Sequence, residues 1–164
     1  AKVILQEGKG KGMAFQTFLK KYPIDASAYY IMLDADDTYD ARDLPKFVAG
    51  LKEFDVVSGY RTTVRYNLRD FVHLIGNKLI SLTGLLLYGK FDYDICTGYW
   101  AFRGSALKKM HITAKRFELE ANLFTQISKK NLRARQIRIN YAVRKGESKL
   151  KTSDALKIVW KLVI

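Results

Sequence analysis

Ala28-Tyr29-Tyr30-Ile31-Met32-Leu33, followed at once by Asp34-Ala35-Asp36-Asp37-Thr38-Tyr39-Asp40, is the stretch on which the reading of this chain turns. A continuous apolar run of strand length that stops at acids suits a buried parallel strand. Five of the 16 acidic residues (Asp34, Asp36, Asp37, Asp40 and Asp43) fall here, in a protein of formal net charge +13. Carboxylates crowded at a strand end repel one another unless a cation or a basic side chain compensates them. A hard divalent cation takes oxygen ligands and bridges them to substrate phosphates. The carboxyl end of a parallel strand is also where open α/β sheets bind ligands. A solvated acidic turn with a helix N-cap accounts equally for Asp40 and Asp43. A calcium EF-hand loop does not fit, because Tyr39 stands where the loop needs Gly and Pro45 where it needs Glu.

Upstream, Phe15, Phe18, Leu19 and Tyr22 recur at helical spacing over residues 11–22, behind Gly8, Gly10 and Gly12. Downstream, Leu44, Phe47, Val48 and Leu51 mark a short amphipathic helix, and Asp55-Val56-Val57-Ser58-Gly59 reads as the next strand. Residues 68–88 read as one long helix or two, with Phe71, Leu74, Ile75, Leu79 and Leu82 on one side. Tyr99 to Arg103 is strand-like, and Phe117 to Lys130 predicts a helix burying Phe117, Leu123, Phe124 and Ile127. Over residues 135–144, Ile137, Ile139, Tyr141 and Val143 alternate with Arg138, Asn140 and Arg144, the period of a half-buried strand. Ser153-Asp154 can cap a last helix whose Leu156, Val159, Trp160 and Val163 form an apolar stripe beside Lys157 and Lys161. Strands alternating with helices define an α/β domain with a parallel or mixed sheet.

With 164 residues, 48% of them hydrophobic and 13% aromatic, the chain has material for one domain with a core. A single cysteine, Cys96, cannot form an internal disulfide, which points to a reducing compartment. The net charge of +13 asks for an anionic partner. Residues 68–88 carry Arg69, Asp70, His73 and Lys78. No apolar stretch reaches the about 18 residues of a membrane span. The opening at Ala1, straight into the strand-like Lys2-Val3-Ile4-Leu5, is expected of a chain cut inside a domain. Gly8-Lys9-Gly10-Lys11-Gly12 ahead of a helix suits backbone approach to a phosphate, or simply a basic turn. Arg61, Arg65 and Arg69 form a basic cluster, with His73 one helical turn beyond Arg69.

Five segments in order resemble glycosyltransferase family 2: the strand ending in Asp34-Ala35-Asp36, Asp55 to Arg61, Asp94-Ile95-Cys96-Thr97-Gly98-Tyr99-Trp100-Ala101-Phe102-Arg103, Phe117-Glu118-Leu119-Glu120, and Arg144-Lys145-Gly146-Glu147-Ser148-Lys149. Within it the chain is most similar to the dolichyl-phosphate mannose synthase and polyprenyl-phosphate glycosyltransferase group. The resemblance implies a GT-A type, Rossmann-like mixed sheet flanked by helices, over residues 1–151 and incomplete at the N-terminus. Residues 152–164 form an amphipathic helix, packed on the core or lying at a membrane interface.

The resemblance further implies a metal-dependent, inverting hexosyltransferase that uses Mg²⁺ or Mn²⁺ and a GDP- or UDP-sugar donor. The acceptor is a polyprenyl (dolichyl-type) phosphate at the cytoplasmic face of a membrane, with an anionic membrane surface as partner. Asp34 and Asp36 are the expected metal ligands, while Thr38 stands where relatives carry a further liganding Gln. Lys11, Asp34, Asp36, Arg144, Ser148 and Lys149 are expected on the donor, and Arg61, Arg69 and His73 on the acceptor phosphate. Asp36, Arg61 and Arg144 would carry the chemistry. Asp94 and Glu118 would be general bases if the acceptor were a hydroxyl, or structural hydrogen-bonding groups. A relative acting on a sugar or glycan hydroxyl in polysaccharide synthesis is the alternative. A basic nucleic-acid-binding module ranks lower: the aromatic residues fall on core faces, and the acids cluster where a phosphate backbone would be repelled.

Overall fold

A computed structural model of the protein describes residues 2–62, 78, 80–90, 92–142 and 152–163. Four strands form one mixed sheet: β1 (Tyr29–Met32), β2 (Val56–Arg61), β3 (Trp100–Arg103) and β4 (Ala134–Ile139), in the order β1-β3-β2-β4. β3 is antiparallel to both of its neighbours, with Trp100 opposite Met32 on one side and Ser58 on the other. β2 and β4 are parallel, in a register that pairs Gly59 with Ile137. Strands β1, β2 and β4 therefore run the same way. Their carboxyl ends, and the residues just before β3, meet at one edge of the sheet.

The helices are α1 (Lys11–Lys21), α2 (Leu44–Gly50, entered through a 3₁₀ turn at Ala41–Asp43), α3 (80–88), α4 (Gly104–Leu107), α5 (Leu119–Lys129) and α6 (Thr152–Val163). Strand alternation sorts the core into two layers. Val56, Trp100 and Phe102 face α1 and α5, where they meet Phe15, Leu119, Leu123 and Ile127. Val57, Tyr99, Ala101 and Ile139 face α2, where they meet Phe47 and Leu51. Each large apolar side chain fully removed from water contributes roughly 1.5–3 kcal/mol. A third cluster joins Ile80, Ala121, Phe124, Ile158 and Leu162, and so packs α6 on α5 and α3.

Most expected elements are present, with four differences. The apolar run Ala28–Leu33 gives β1, but this strand is half-buried and pairs only with β3 among the described residues. A groove of about 560 Å³ runs beside it, lined by Phe15, Phe18, Tyr30, Met32, Lys11 and Asp34 among others. Phe117 lies ahead of α5 and is half-buried, while Leu119 takes the buried place at the helix start. Among the described side chains of α6, Ile158 and Leu162 are buried and Val159 packs half-buried beside them, whereas Trp160 and Val163 of the expected stripe are exposed. Residues three and four apart share a helix face, so the described part of the stripe is split between a packed side and an exposed one. Of residues 68–88, only 78 and 80–88 are described, and there Leu82 is largely exposed while Ile80 is buried.

The glycine run ahead of α1 serves packing. Gly12 N donates to the Arg116 carbonyl (3.2 Å) and Met13 N to the Lys115 carbonyl (2.9 Å), so backbone carbonyls satisfy these two helix-start donors. A Cβ on Gly12 would collide with the Ala114 carbonyl oxygen, and one on Gly10 (φ +110°) would sit 2.6 Å from the Lys115 carbonyl oxygen. Both obstacles are backbone and cannot rotate away. Gly12→Ala should therefore lower stability by about 3 kcal/mol, read as a shift of the urea midpoint at unchanged slope.

Candidate active site

At the carboxyl edge of the sheet, Asp34 lies two residues beyond the end of β1 and its carboxylate is held from two directions. Lys11 Nζ, from the first residue of α1, lies 2.7 Å from Asp34 Oδ1 and 2.6 Å from Glu120 Oε1 in the first turn of α5. Burial alone would lower the lysine's pKa, but Glu120 and Asp34 together raise it above its ordinary value. Burial pushes the Glu120 carboxyl up, against the opposing pull of Lys11. On the other side Asp34 lies against Gly98, where a Cβ would fall 2.5 Å from Asp34 Oδ2 and 2.9 Å from the Tyr39 hydroxyl. Gly98 N donates to that hydroxyl at 2.6 Å, and burial raises Tyr39 to about 12, so it stays protonated. Any side chain larger than hydrogen at position 98 would force the Asp34 carboxylate and the Tyr39 hydroxyl to shift.

Asp36 is oriented within its own turn. Thr38 Oγ1 donates to Asp36 Oδ1 at 2.5 Å, and Thr38 N approaches the same oxygen at 3.3 Å. Asp37 between them has φ +63°, a left-handed conformation that aspartate tolerates better than most residues. The structure thus shows Thr38, buried, bracing the carboxylate. The later acids are structural. Asp40 Oδ1 accepts from Arg42 N (2.9 Å), the N-cap expected of it. Buried Asp43 accepts from Asn140 N (2.9 Å) and Lys46 Nζ (2.5 Å). With Ala142 N donating to the Thr38 carbonyl (2.8 Å) and Tyr39 bridged to Tyr141, these bonds fix the acid loop to the end of β4.

Arg61, the last residue of β2, makes a two-pronged ion pair with Asp94: Nε to Oδ2 at 2.6 Å and Nη2 to Oδ1 at 2.7 Å. Nη2 also reaches the Cys96 carbonyl (3.3 Å), and the guanidinium lies 5.3 Å from the Tyr141 ring centre. Burial opposes the charge, but Asp94 outweighs it and raises the arginine above its ordinary range. Glu118 Oε1 accepts from Lys115 N (2.8 Å) and Arg116 N (3.1 Å), the segment against which α1 begins. Burial raises the Cys96 thiol to about 12, which leaves no thiolate at neutral pH. Arg65, Arg69, His73, Arg144, Ser148 and Lys149 lie outside the described residues.

The site therefore brings together Lys11, Asp34, Asp36 and, further along the same edge, Arg61 with Asp94. Sequence reasoning assigned no role to Glu120 or Gly98. An acid among Leu119, Ala121, Leu123 and Phe124, all buried, was the available signal for Glu120. Two carboxylates at a strand end supply hard oxygen donors suited to Mg²⁺ or Mn²⁺. No group of three or more His, Cys, Asp or Glu suited to a metal occurs among the described residues. Asp34 and Asp36 would supply two such donors, and the rest of a cation's shell would have to come from substrate and water.

The family model for glycosyl transferase family 2 matches residues 1–110, and the chain belongs to that family. It is 30% identical over 143 residues to glycosyltransferase AglJ of Haloferax volcanii, covering 86% of this chain and 46% of that protein. It is also 30% identical over 153 residues to a dolichyl-phosphate hexose transferase of the same organism, covering 92% of this chain and 64% of that protein. The chain thus spans about half to two-thirds of the length of these curated relatives. The fold matches glucosyl-3-phosphoglycerate synthase of Mycobacterium tuberculosis, solved with phosphoglyceric acid, at TM-score 0.69 and 15% identity over 97% of this chain and 56% of that one. The same enzyme, solved with Mn²⁺, UDP-glucose and phosphoglyceric acid, matches at TM-score 0.69 and 14% identity over 97% of this chain and 55% of that one. The mixed sheet flanked by helices is therefore of the GT-A type that the motifs implied.

Asp92 gives this edge a pH dependence. It is buried, its Oδ1 accepts from Asp94 N (3.0 Å), and burial pushes its carboxyl up to about 7. An acid whose folded pKa lies above its unfolded value of about 3.9 stabilises the fold fully below pH 4. That contribution is lost as pH rises to 7. Asn presents the same acceptor oxygen without a charge. Asp92→Asn should therefore leave stability unchanged near pH 4 and raise it at pH 8, by up to about 4 kcal/mol for a shift of roughly three units. Urea denaturation of both proteins across that pH range measures the difference.

Proposed function

We propose that the chain forms the cation- and acceptor-binding part of an inverting glycosyltransferase that moves a sugar from a nucleotide-sugar onto a polyprenyl phosphate at a membrane surface. The observation that carries this reading is the gathering of Asp34 and Asp36 at one sheet edge with the cationic ends of Lys11 and Arg61. That edge holds oxygen donors for a cation and positive groups for two phosphates. The relative named for dolichyl-phosphate hexose transfer supports the acceptor class, and the Mn²⁺ and UDP-glucose bound to the M. tuberculosis enzyme support the donor class.

The chemistry follows from charge. A polyprenyl phosphate oxygen is already anionic near neutral pH and needs placement more than deprotonation. Asp94 and the Tyr141 ring fix the Arg61 guanidinium, and its Nη1 has no hydrogen-bond partner among the described residues. Through that nitrogen Arg61 orients the acceptor phosphate, with Arg69 and His73 as its proposed companions. Asp34 and Asp36 would hold a divalent cation, which would supply Lewis-acid stabilisation of the leaving nucleoside diphosphate. Lys11 holds Asp34 in place on the same side, and Arg144, Ser148 and Lys149 are the proposed donor contacts. An acceptor that is already ionised requires no general base, so Asp94 and Glu118 serve through their hydrogen bonds. Asp36→Ala in the full-length protein should lower the transfer rate by at least about a thousandfold with the far-UV spectrum unchanged. Substantial activity after chelation of divalent metal would overturn the metal assignment.

The proposed location is the cytoplasmic face of a membrane. No helix among the described residues is long and apolar enough to cross one. Instead α6 buries Ile158 and Leu162 and leaves Trp160 63% and Val163 53% exposed. An exposed tryptophan on a helix of a strongly basic protein suits the headgroup region of an anionic bilayer. Trp160→Ala should reduce co-sedimentation with vesicles containing phosphatidylserine severalfold, and high salt should weaken the binding further. Equal pelleting of both proteins with neutral and anionic vesicles would leave α6 as a core-packing helix only.

A further inference from the structure

Glu120 is the second residue of α5, 10% exposed at its side chain, and its ion-pair partner is the lysine that also holds Asp34. Three charged groups from three separate elements meet at Lys11 Nζ, two negative and one positive. With the Lys11 ammonium 2.6 Å away holding Glu120 ionised against the pull of burial, the cluster carries one net negative charge. Were Lys11 paired with Asp34 alone, the pair would be neutral, and Asp34 would be a poor ligand for a cation. We infer that Glu120 is a positioning residue: it takes up half of the Lys11 ammonium, so that Asp34 keeps negative charge and a fixed orientation toward the cation site.

This rests on the proposed role of Asp34 and Asp36, and it assigns a task to a residue outside that pair. A merely structural acid would serve equally well with any hydrogen-bond acceptor in its place. Here the sign and number of the charges decide the outcome. Glu120→Gln keeps the acceptor oxygen but takes the cluster from one net negative charge to zero. Glu120→Asp restores the charge on a shorter arm. Lys11→Met combined with Glu120→Gln removes one charge of each sign and returns the cluster to one net negative charge on Asp34.

The test is Mn²⁺ titration of the full-length protein, followed by the loss of the free-ion electron paramagnetic resonance signal, with thermal melts run alongside. Glu120→Gln should raise the Mn²⁺ dissociation constant about tenfold, because one charge is lost close to the ion. Glu120→Asp and the Lys11→Met/Glu120→Gln double variant should both lie within about threefold of the wild type. If Glu120→Gln binds Mn²⁺ as tightly as the wild type, or if the double variant binds no better than the single one, the positioning role is wrong. Asp36→Ala separates this from failure of the site itself. If it binds Mn²⁺ like the wild type, or if the wild type binds none, the cation site falls and the positioning role with it. If Asp36→Ala abolishes binding and Glu120→Gln leaves it untouched, only the role of Glu120 falls.

Discussion

The ammonium of Lys11, wedged between Asp34 and Glu120, is the contact on which the arrangement of the site depends. It joins the start of α1, the end of β1 and the start of α5. Each of these would otherwise present a charge in a place where water is largely excluded. A buried charge without a partner costs several kcal/mol, so the three elements are tied to one another more tightly than their apolar contacts alone would require. The close approach also explains the glycines around it. Gly12 lets the Ala114–Arg116 backbone come against α1, and Gly98 lets Asp34 and Tyr39 come against the entry to β3.

The same edge is closed from the opposite side by hydrogen bonds between the acid loop and the end of β4. Asp43 to Asn140, Thr38 to Ala142, and the Tyr39–Tyr141 bridge connect segments about a hundred residues apart in the chain. Asp34 and Asp36 therefore sit on a loop braced at both ends, which suits a site whose ligands must hold their geometry before a cation arrives. Arg61 is treated likewise: the carboxylate of Asp94 and the ring of Tyr141 fix its guanidinium. The buried polar groups here are mostly satisfied by one another, and the charges that remain point to what the edge is built to bind.

The strong positive charge of the chain is distributed over surfaces with different proposed tasks. Lys11 and Arg61 are drawn into ion pairs, whereas α6 places Lys161 beside the exposed Trp160 and Val163. A substrate phosphate carried on a lipid would need both: a cation held in place for the headgroup and a surface that settles at the bilayer. Packing of Ile158 and Leu162 on α5 would tie that surface to the helix that carries Glu120.

Much of the fold was legible in the order of residues, because apolar periodicity and strand-ending acids are local features. The helical spacing of Phe15, Phe18 and Leu19 gives α1, the Val56–Gly59 run lies in β2, and the alternation through Ile137 and Ile139 gives β4. The ordered motifs named the family and pointed to the loop of Asp34 and Asp36. The roles of individual charges were not legible, since an ion pair between residues 11 and 120, or 61 and 94, leaves no trace in spacing. The glycines before α1 read as a phosphate cradle or a basic turn, and only the carbonyls of Lys115 and Arg116 at their backbone give them a packing role. Likewise the stripe on α6 reads as one face in the sequence, and only packing shows Ile158 and Leu162 buried and Trp160 outside. Sequence by itself determined the elements and the chemistry available at the sheet edge. Tertiary structure decided which opposite charges meet, because a desolvated charge must find its partner wherever the chain's path brings one within reach.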